Sequence, residues 1–450
     1  MRLKLLILAV ALTTVASPSH GTDLLDAYRD ARANDPVLSQ ADAIRLSTGE
    51  GVDQARALLL PQISAGLTLS QTNGGSGGNS FVDPNNPGQI IGTPGFGHSR
   101  TRSINGTLSQ TVFDFSKYAN LKAAHSSADA QDDIYQAAQQ ALFVRVLTAY
   151  FGVLTSEDAL TFAKANEDAF RQQFEQSDQR FKVGLSAITD VYQAKAFYEA
   201  AKAQTITAQN TLNDAREALT QITDKPAGDL KKLRDDLPMQ PPSPNNQDAW
   251  VKQALATNPN LLAQRQNVQT AEHNITAARS GHLPTISAQV TYNDNTSWYQ
   301  DAAIQGNRPA STTIGLSLNV PIFSGGLTQS RVRQSIYQRD AASDAMESER
   351  RQVVRDTLNF YRTVIAGIAQ VQSAKASVES GQKALDAMRA GFDVGTQTMT
   401  DVLLAIQTLT SSESSYSQAR HQFLLNKLLL KQTAGTADLG DLQTINALLQ

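Results

Sequence analysis

The strongest constraint on this chain is an absence: no proline occurs from residue 95 to 225 or from 322 to 450, tracts of 131 and 129 positions. A proline inside a helix removes a hydrogen bond and clashes with the preceding turn, so such tracts permit helices far longer than usual. Within each, one short motif recurs: Phe181-Lys182-Val183-Gly184-Leu185-Ser186-Ala187-Ile188-Thr189-Asp190-Val191, and Phe392-Asp393-Val394-Gly395-Thr396-Gln397-Thr398-Met399-Thr400-Asp401-Val402. Written as one helix, the 67 residues from Phe115 to Phe181 would run about 100 Å at about 1.5 Å per residue. Gly184 and Gly395 suit the left-handed position that ends such a helix, and Ser186 or Thr189, and Thr398, can cap the helix that returns. Each tract therefore predicts a hairpin of two very long helices.

The flanking stretches change period. Thr22 can cap a short helix, Asn34-Asp35-Pro36 separates it from a second one through Ala57, and Leu60-Pro61 closes that. From Gln62 to Ser70 polar and apolar residues alternate, which is strand logic. Residues 72 to 99, with Gly74-Gly75-Ser76-Gly77-Gly78, predict a loop, and a second strand is expected from about Ser103 to Phe113 with Ile104, Leu108 and Val112 on one face. The first long helix, starting near Asp114 or Ser116, is rich in alanine, and Leu147, Tyr150, Leu154, Phe170, Phe174 and Phe181 recur at coiled-coil spacings. A generic helical-bundle core is the lesser alternative for those spacings. After Ile222, Lys225-Pro226 and the prolines at 238, 241, 242 and 244 mark an irregular connector with a short helix around Asp248 to Ala256.

Then the programme repeats. At an offset of 223, Ala33, Pro36, Leu38, Ala55, Arg56, Leu60, Pro61, Ile63, Ser64 and Ala65 fall on identical residues from Ala256 to Ala288. At an offset of 211, Leu147, Tyr150, Phe181, Val183, Gly184, Thr189, Asp190 and Val191 match Leu358, Tyr361, Phe392, Val394, Gly395, Thr400, Asp401 and Val402. The boundaries that follow are a signal peptide at 1–21; a first repeat at 22–223 (strand pair about 62–113, long helix about 115–182, return helix about 186–223); a connector at 224–257; a second repeat at 258–434 (strand pair about 284–323, long helix about 326–393, return helix about 397–434); and a C-terminal segment at 435–450. The periodicity argues for one elongated unit.

Arg2 and Lys4, the apolar run Leu5 to Val15 and Ser19-His20-Gly21 read as a secretory signal. That run is too short to span a bilayer, and no other stretch approaches the roughly 18 apolar residues required. Removing Arg2 and Lys4 from the 39 basic side chains leaves 37 against 42 acidic ones, so no basic field exists for nucleic acid. There are no cysteines, which excludes thiolate metal and redox chemistry. The six histidines (His20, His98, His125, His273, His282 and His421) show no ligand spacing, and the glycine runs lack the context of a phosphate loop. No enzyme activity, cofactor or metal is expected. Two strand pairs of about ten residues have the length of tilted outer-membrane strands, yet four strands cannot close and open edges are not tolerated in hydrocarbon. Several chains must share one barrel.

The sequence resembles the TolC family of outer-membrane channel-tunnels over essentially the whole mature chain. The resemblance rests on Gly281-His282-Leu283-Pro284, on Val320-Pro321-Ile322-Phe323-Ser324-Gly325-Gly326, on the run Arg180 to Val191 and on Gly391 to Val402. It implies a mainly α protein with β: a homotrimer whose twelve strands form one outer-membrane β-barrel, continued through the periplasm by an α-helical barrel of long coiled-coil hairpins, with two internal repeats per chain. The connector and the segment from Asp438 to Leu449 would form an equatorial belt. The implied role is a passive exit duct of tripartite efflux pumps or type I secretion systems, embedded in outer-membrane lipid. A periplasmic adaptor protein would join it to an inner-membrane transporter of RND, ABC or MFS type.

By the same resemblance the periplasmic end is a gate. Its contacts would be Thr189 and Asp190 from the first repeat, and Phe392 and Gln397 from the second, where the family has tyrosine and arginine. Phe392 has no hydroxyl and Gln397 no charge, so the closed state is expected to rest more on packing than on ion pairing. Asp401 matches the first of two aspartate rings at the entrance and would make the duct prefer cations, while Leu404 stands at the second and makes an apolar ring. The tips Val183-Gly184-Leu185 and Val394-Gly395-Thr396 are the expected adaptor contacts. The rival from another class is a soluble periplasmic coiled-coil adaptor or scaffold, which would have no use for two alternating strand pairs.

Overall fold

The structure is a computed structural model that describes residues 23–73, 80–82, 85–86, 90–92, 98–299, 306–307 and 310–450. The expected signal peptide at 1–21, Thr22 and the Gly74 to Gly78 run lie outside the described residues. In chain order the elements are α1 (Leu24–Asn34), α2 (Pro36–Ala57), β1 (Gln62–Asn73), β2 (Ser80–Val82), β3 (Ile90–Gly92), β4 (His98–Phe113), α3 (Phe115–Lys182), α4 (Ile188–Thr223), α5 (Gln247–Thr257), α6 (Pro259–Arg279), β5 (Thr285–Tyr299), β6 (Gly306–Asn307), β7 (Ser311–Asn319), α7 (Leu327–Asp393), α8 (Met399–Thr433) and α9 (Leu439–Asn446). They divide into two compact units, each drawing on both repeats: Met1–Gln40, Ala137–Asn258 and Val353–Gln450 form the first, and Ala41–Gln136 and Pro259–Gln352 the second.

The second unit holds an antiparallel sheet ordered β1-β4-β5-β7, with the short β6 also on β5. Its register separates two chemistries by one residue. Ile63, Leu108, Val290 and Ile314 form one row across the four long strands, and Ser64, Thr107, Thr291 and Thr313 form the next. Successive strand residues face opposite sides, so one face is apolar and the other polar. Ile63 is 78% and Ile314 79% exposed. Among the described residues neither β1 nor β7 has a second long strand beside it, which leaves two open edges.

Several strand and cap boundaries differ from the sequence reading. β4 begins at His98, not near Ser103, because the β1 ladder continues one-to-one as far as Asn73 opposite His98. Residues 72–99 contain, besides these strand ends, a small β2–β3 hairpin. β7 stops at Asn319 rather than near 323, since Pro321 has no N–H for a ladder; Ile322 is left 94% exposed. Asp114 caps α3, accepting from the Ser116 backbone N–H (3.0 Å) and hydroxyl (2.6 Å).

The first unit is all helix and connector. Leu142, Val146, Leu147, Tyr150, Val153 and Leu154 on α3 are buried, and Phe143 stacks on Tyr28 of α1 at 5.0 Å. α3 also carries one stretch apolar enough by length and composition to cross a bilayer, contrary to the sequence reading; half of it is buried, as in a core helix. Asp23, not Thr22, caps α1 by accepting from Asp26 N at 2.8 Å. Arg145 donates to both oxygens of buried Asp35 at 2.9 and 2.6 Å and holds its carboxyl below the usual range against the desolvation that raises it. The repeat is visible in single contacts. Asn34 Nδ2 donates to the Thr223 carbonyl at 2.9 Å, and the equivalent Thr257 hydroxyl to the Ala434 carbonyl at 2.6 Å.

The connector is tied down by backbone and side chain. Leu233 bridges Leu449, and the Tyr150 hydroxyl donates to the Lys231 carbonyl at 3.0 Å. Burial of that phenol pushes its pKa up. Gly435, at φ 71°, ends α8, and a Cβ there would lie 2.1 Å from the Thr257 carbonyl oxygen.

Candidate functional site

Both long helices of the first unit end in the same way. Gly184 has φ 76° and Gly395 φ 81°. Leu185 N donates to Arg180 O (2.8 Å) and Gly184 N to Phe181 O (2.9 Å); Thr396 N donates to Gly391 O (2.8 Å) and Gly395 N to Phe392 O (3.1 Å). These paired bonds satisfy carbonyls that a helix end would otherwise leave free. Gly391 leaves room for the turn's own side chain: a Cβ there would lie 2.6 Å from Gln397 Cγ, which would have to move. Val183, Leu185 and Val394 stand exposed at the two turns.

The returning helices are capped differently. α4 starts after Ala187 with no side-chain cap, so neither Ser186 nor Thr189 serves; the Ser186 hydroxyl instead donates to Asp190 Oδ2 at 2.9 Å. α8 has a full capping box, in which the Thr398 hydroxyl accepts from Asp401 N (3.3 Å) and Asp401 Oδ2 accepts from Thr398 N (2.9 Å) and its hydroxyl (2.6 Å). The Thr398 hydroxyl and N–H hold the Asp401 carboxyl below the ordinary carboxylate range. Val402 and Leu403 are buried, whereas Leu404 is 49% exposed. Asp401 and Leu404, three apart, therefore lie on the face turned away from the core.

Behind the turns the hairpins meet in an apolar cluster of Phe170, Ala201, Leu385, Met399, Val402, Leu403, Ile406 and Leu409, with Phe392 against its edge. Contacts outside the cluster join them as well. The Arg180 guanidinium lies 4.8 Å from the Phe392 ring centroid, and Gln193 Nε2 donates to the Thr400 hydroxyl at 3.0 Å. No cluster of metal-ligating side chains occurs among the described residues.

The profile of a family described as outer membrane efflux protein matches residues 27–224 and 250–436. The chain belongs to the outer membrane efflux protein family. Outer membrane protein TolC of Escherichia coli (strain K12) is 33% identical over 450 residues, spanning 98% of this chain and 88% of that one. The alkaline protease secretion protein AprF of Pseudomonas aeruginosa is 26% identical over 94% of this chain and 86% of its own. Among solved structures, the outer membrane protein VceC of Vibrio cholerae superposes with a TM-score of 0.73 at 18% identity, covering 92% of this chain and 96% of that one.

For this efflux-family chain, the structure does not pair the four gate residues read from the sequence with one another. Asp190 is held by Ser186, Phe392 by Arg180, and Gln397 lies over Gly391 within its own turn, while Thr189 is exposed. Arg180, Gln193 and Thr400, which do join the hairpins, escaped the sequence reading. Arg180 carried a signal, because it lies one turn before Gly184, where a long cation can reach across to an aromatic ring.

Proposed function

We propose that this chain is one protomer of an outer-membrane exit duct serving efflux and type I secretion, with its helical part in the periplasm. One observation carries the reading: a four-stranded sheet with an apolar face, a polar face and two open edges. In hydrocarbon such edges must be paired, and copies of the same chain supply the partners. Two copies would give about eight strands, whose interior side chains fill; three give about twelve and leave a lumen. The polar rows line that lumen and the apolar rows meet lipid. Family membership, a relative named for protease secretion and structural neighbours named as outer-membrane channels support a duct rather than an enzyme.

The helical hairpins then form the periplasmic tunnel and its gate. The connector at 224–257 and the segment at 435–450 form its equatorial belt. Closure rests on the apolar cluster, the Arg180–Phe392 contact and the Gln193–Thr400 hydrogen bond rather than on the ion pairing that Phe392 and Gln397 cannot supply. Asp401 and Leu404 form the entrance rings. The exposed apolar turns at Val183-Gly184-Leu185 and Val394-Gly395-Thr396 take the periplasmic adaptor, which links the duct to an inner-membrane transporter. Fractionation tests the reading. Heat-resistant trimers in the outer-membrane fraction are expected, and monomers in the soluble periplasmic extract would replace it with the adaptor or scaffold.

A further inference from the structure

The apolar face of the sheet ends in two cations. Along β4, Arg100 and Arg102 continue the same side as Ile104 and Leu108, because they are spaced by two. Their neighbours in register are Gln71 and Leu69 on β1, and Trp298 and Thr296 on β5. Leu67 lies opposite Ile104 in the next row toward the helices, so on β1 and β4 the arginines top an apolar surface instead of facing the polar side, while Asp294 flanks Ile104 on β5.

Their height on that surface can be worked out. Arg102 is 11 positions from Phe113, the end of β4 that leads into α3. At about 3.3 Å per residue this is about 36 Å of strand. With the tilt of about 40° usual for such barrels, it rises about 28 Å along the membrane normal, against an apolar band of about 25 Å. Phe113 thus falls at one boundary of the hydrocarbon and Arg102 at the other, the one farther from the helices. Trp298, beside Arg100 and 39% exposed, is the aromatic that a membrane boundary favours.

The two guanidinium groups are positioned but not neutralised. Arg100 Nε donates to Gln71 Oε1 at 3.1 Å, and Arg102 Nη2 to the Thr296 hydroxyl at 3.3 Å. The Arg102 guanidinium carbon is 6.0 Å from the Trp298 ring centroid, and its Nε is buried with no hydrogen-bond partner. Neither arginine forms an ion pair among the described residues, although Asp294 shares their face beside Ile104. Two uncompensated arginines at the outer boundary of a lipid-facing surface make a fork for phosphate.

We propose that Arg100 and Arg102, set beside Trp298, bind the phosphate-bearing headgroup of an outer-leaflet lipid. This rests on the outer-membrane reading above. Acyl chains would lie along Ile104, Leu69 and Leu67 while the headgroup phosphate receives the guanidinium N–H groups. The ligand is a membrane lipid and not a soluble anion, because the surface leading up to the arginines is apolar.

The test is native mass spectrometry of the full-length protein in a sugar-based detergent, titrated with bisphosphorylated lipid A, its dephosphorylated analogue, a zwitterionic phospholipid, or inorganic phosphate. Bisphosphorylated lipid should bind at least about tenfold tighter than the other three, and Arg100→Gln with Arg102→Gln should abolish that preference. The double lysine variant, which keeps the charge, should retain part of it and shows that the sheet still folds. Equal binding of all lipids, an unchanged preference in the glutamine variant, or inorganic phosphate binding as tightly as the lipid would overturn the assignment. Failure of the outer-membrane reading looks different: the protein would stay soluble without detergent.

Discussion

Replacing Arg180 by glutamine probes the closed end most sharply. The guanidinium lies 4.8 Å from the Phe392 ring centroid and joins the last turn of α3 to that of α7. Glutamine keeps an unbranched stem and good helix propensity, so the change removes the charge with little else. A cation over an aromatic ring contributes about 0.5–1 kcal/mol where partly exposed. If three copies open together, a duct loses about 1.5–3 kcal/mol of closure, and the open-to-closed ratio rises about tenfold to a hundredfold. Single-channel recording in planar bilayers reads this as a larger open fraction. Phe392→Leu removes the same contact from the other side, so Arg180→Gln should add little in that background. An unchanged open fraction, or an Arg180→Gln effect of full size beside Leu at 392, would refute the reasoning.

Gln397→Arg supplies the positive charge that the family resemblance sets against Asp190, and conductance should fall; equal conductance argues against a gate at this position. Asp401→Asn should reduce cation preference, measured as reversal potential in a salt gradient. Because Asp401 also caps α8, Thr398→Ala is the control: it should lower stability by about 0.5–2 kcal/mol and leave ion preference alone. His421 receives or donates one bond at 3.0 Å with the Thr155 hydroxyl, beside Asp158 and Arg420, and burial pushes its pKa down to about 4 from 6.5. Its folded value lies below the unfolded one, so its contribution is complete above about pH 6.5 and is lost as pH falls toward 4, about 3 kcal/mol in all. Helical circular dichroism during heating should show that loss, and His421→Asn should flatten it. Gly435→Ala should prevent accumulation of folded protein, since φ 71° and the Thr257 carbonyl both exclude a side chain; normal yields in the membrane fraction would contradict this.

The fold was legible where one local rule decides the outcome. Absence of proline allowed α3 and α7, and the glycines at 184 and 395 marked where each chain turns, because only a residue free of a Cβ takes that conformation easily. Alternation in Gln62 to Ser70 gave the two faces of the sheet. Other features depended on partners distant in sequence. β1 and β4 extend each other into a stretch whose glycines and asparagines read as loop, and pairing sets that length. Arg180 and Phe392 are 212 positions apart, and no local period links them. The stop of β7 was readable from Pro321, but the apolar residues Ile322 and Phe323 masked it. At the tips, the contacts within one chain depend on how each return helix starts: Ser186 is free to bind Asp190 only because α4 begins without a cap.

The claim on which all else depends is that β1 of one copy pairs with β7 of the next. Disulfide cross-linking tests it directly, since the chain has no cysteine of its own. One cysteine is placed on β1 between Gln62 and Thr68 and one on β7 between Thr313 and Asn319. Within one chain these edges are separated by two strands, about 14 Å, too far for a disulfide. Oxidation in outer membranes should therefore give species of two and three chains and nothing larger. A band confined to single chains, or a ladder that continues past three, would contradict the account.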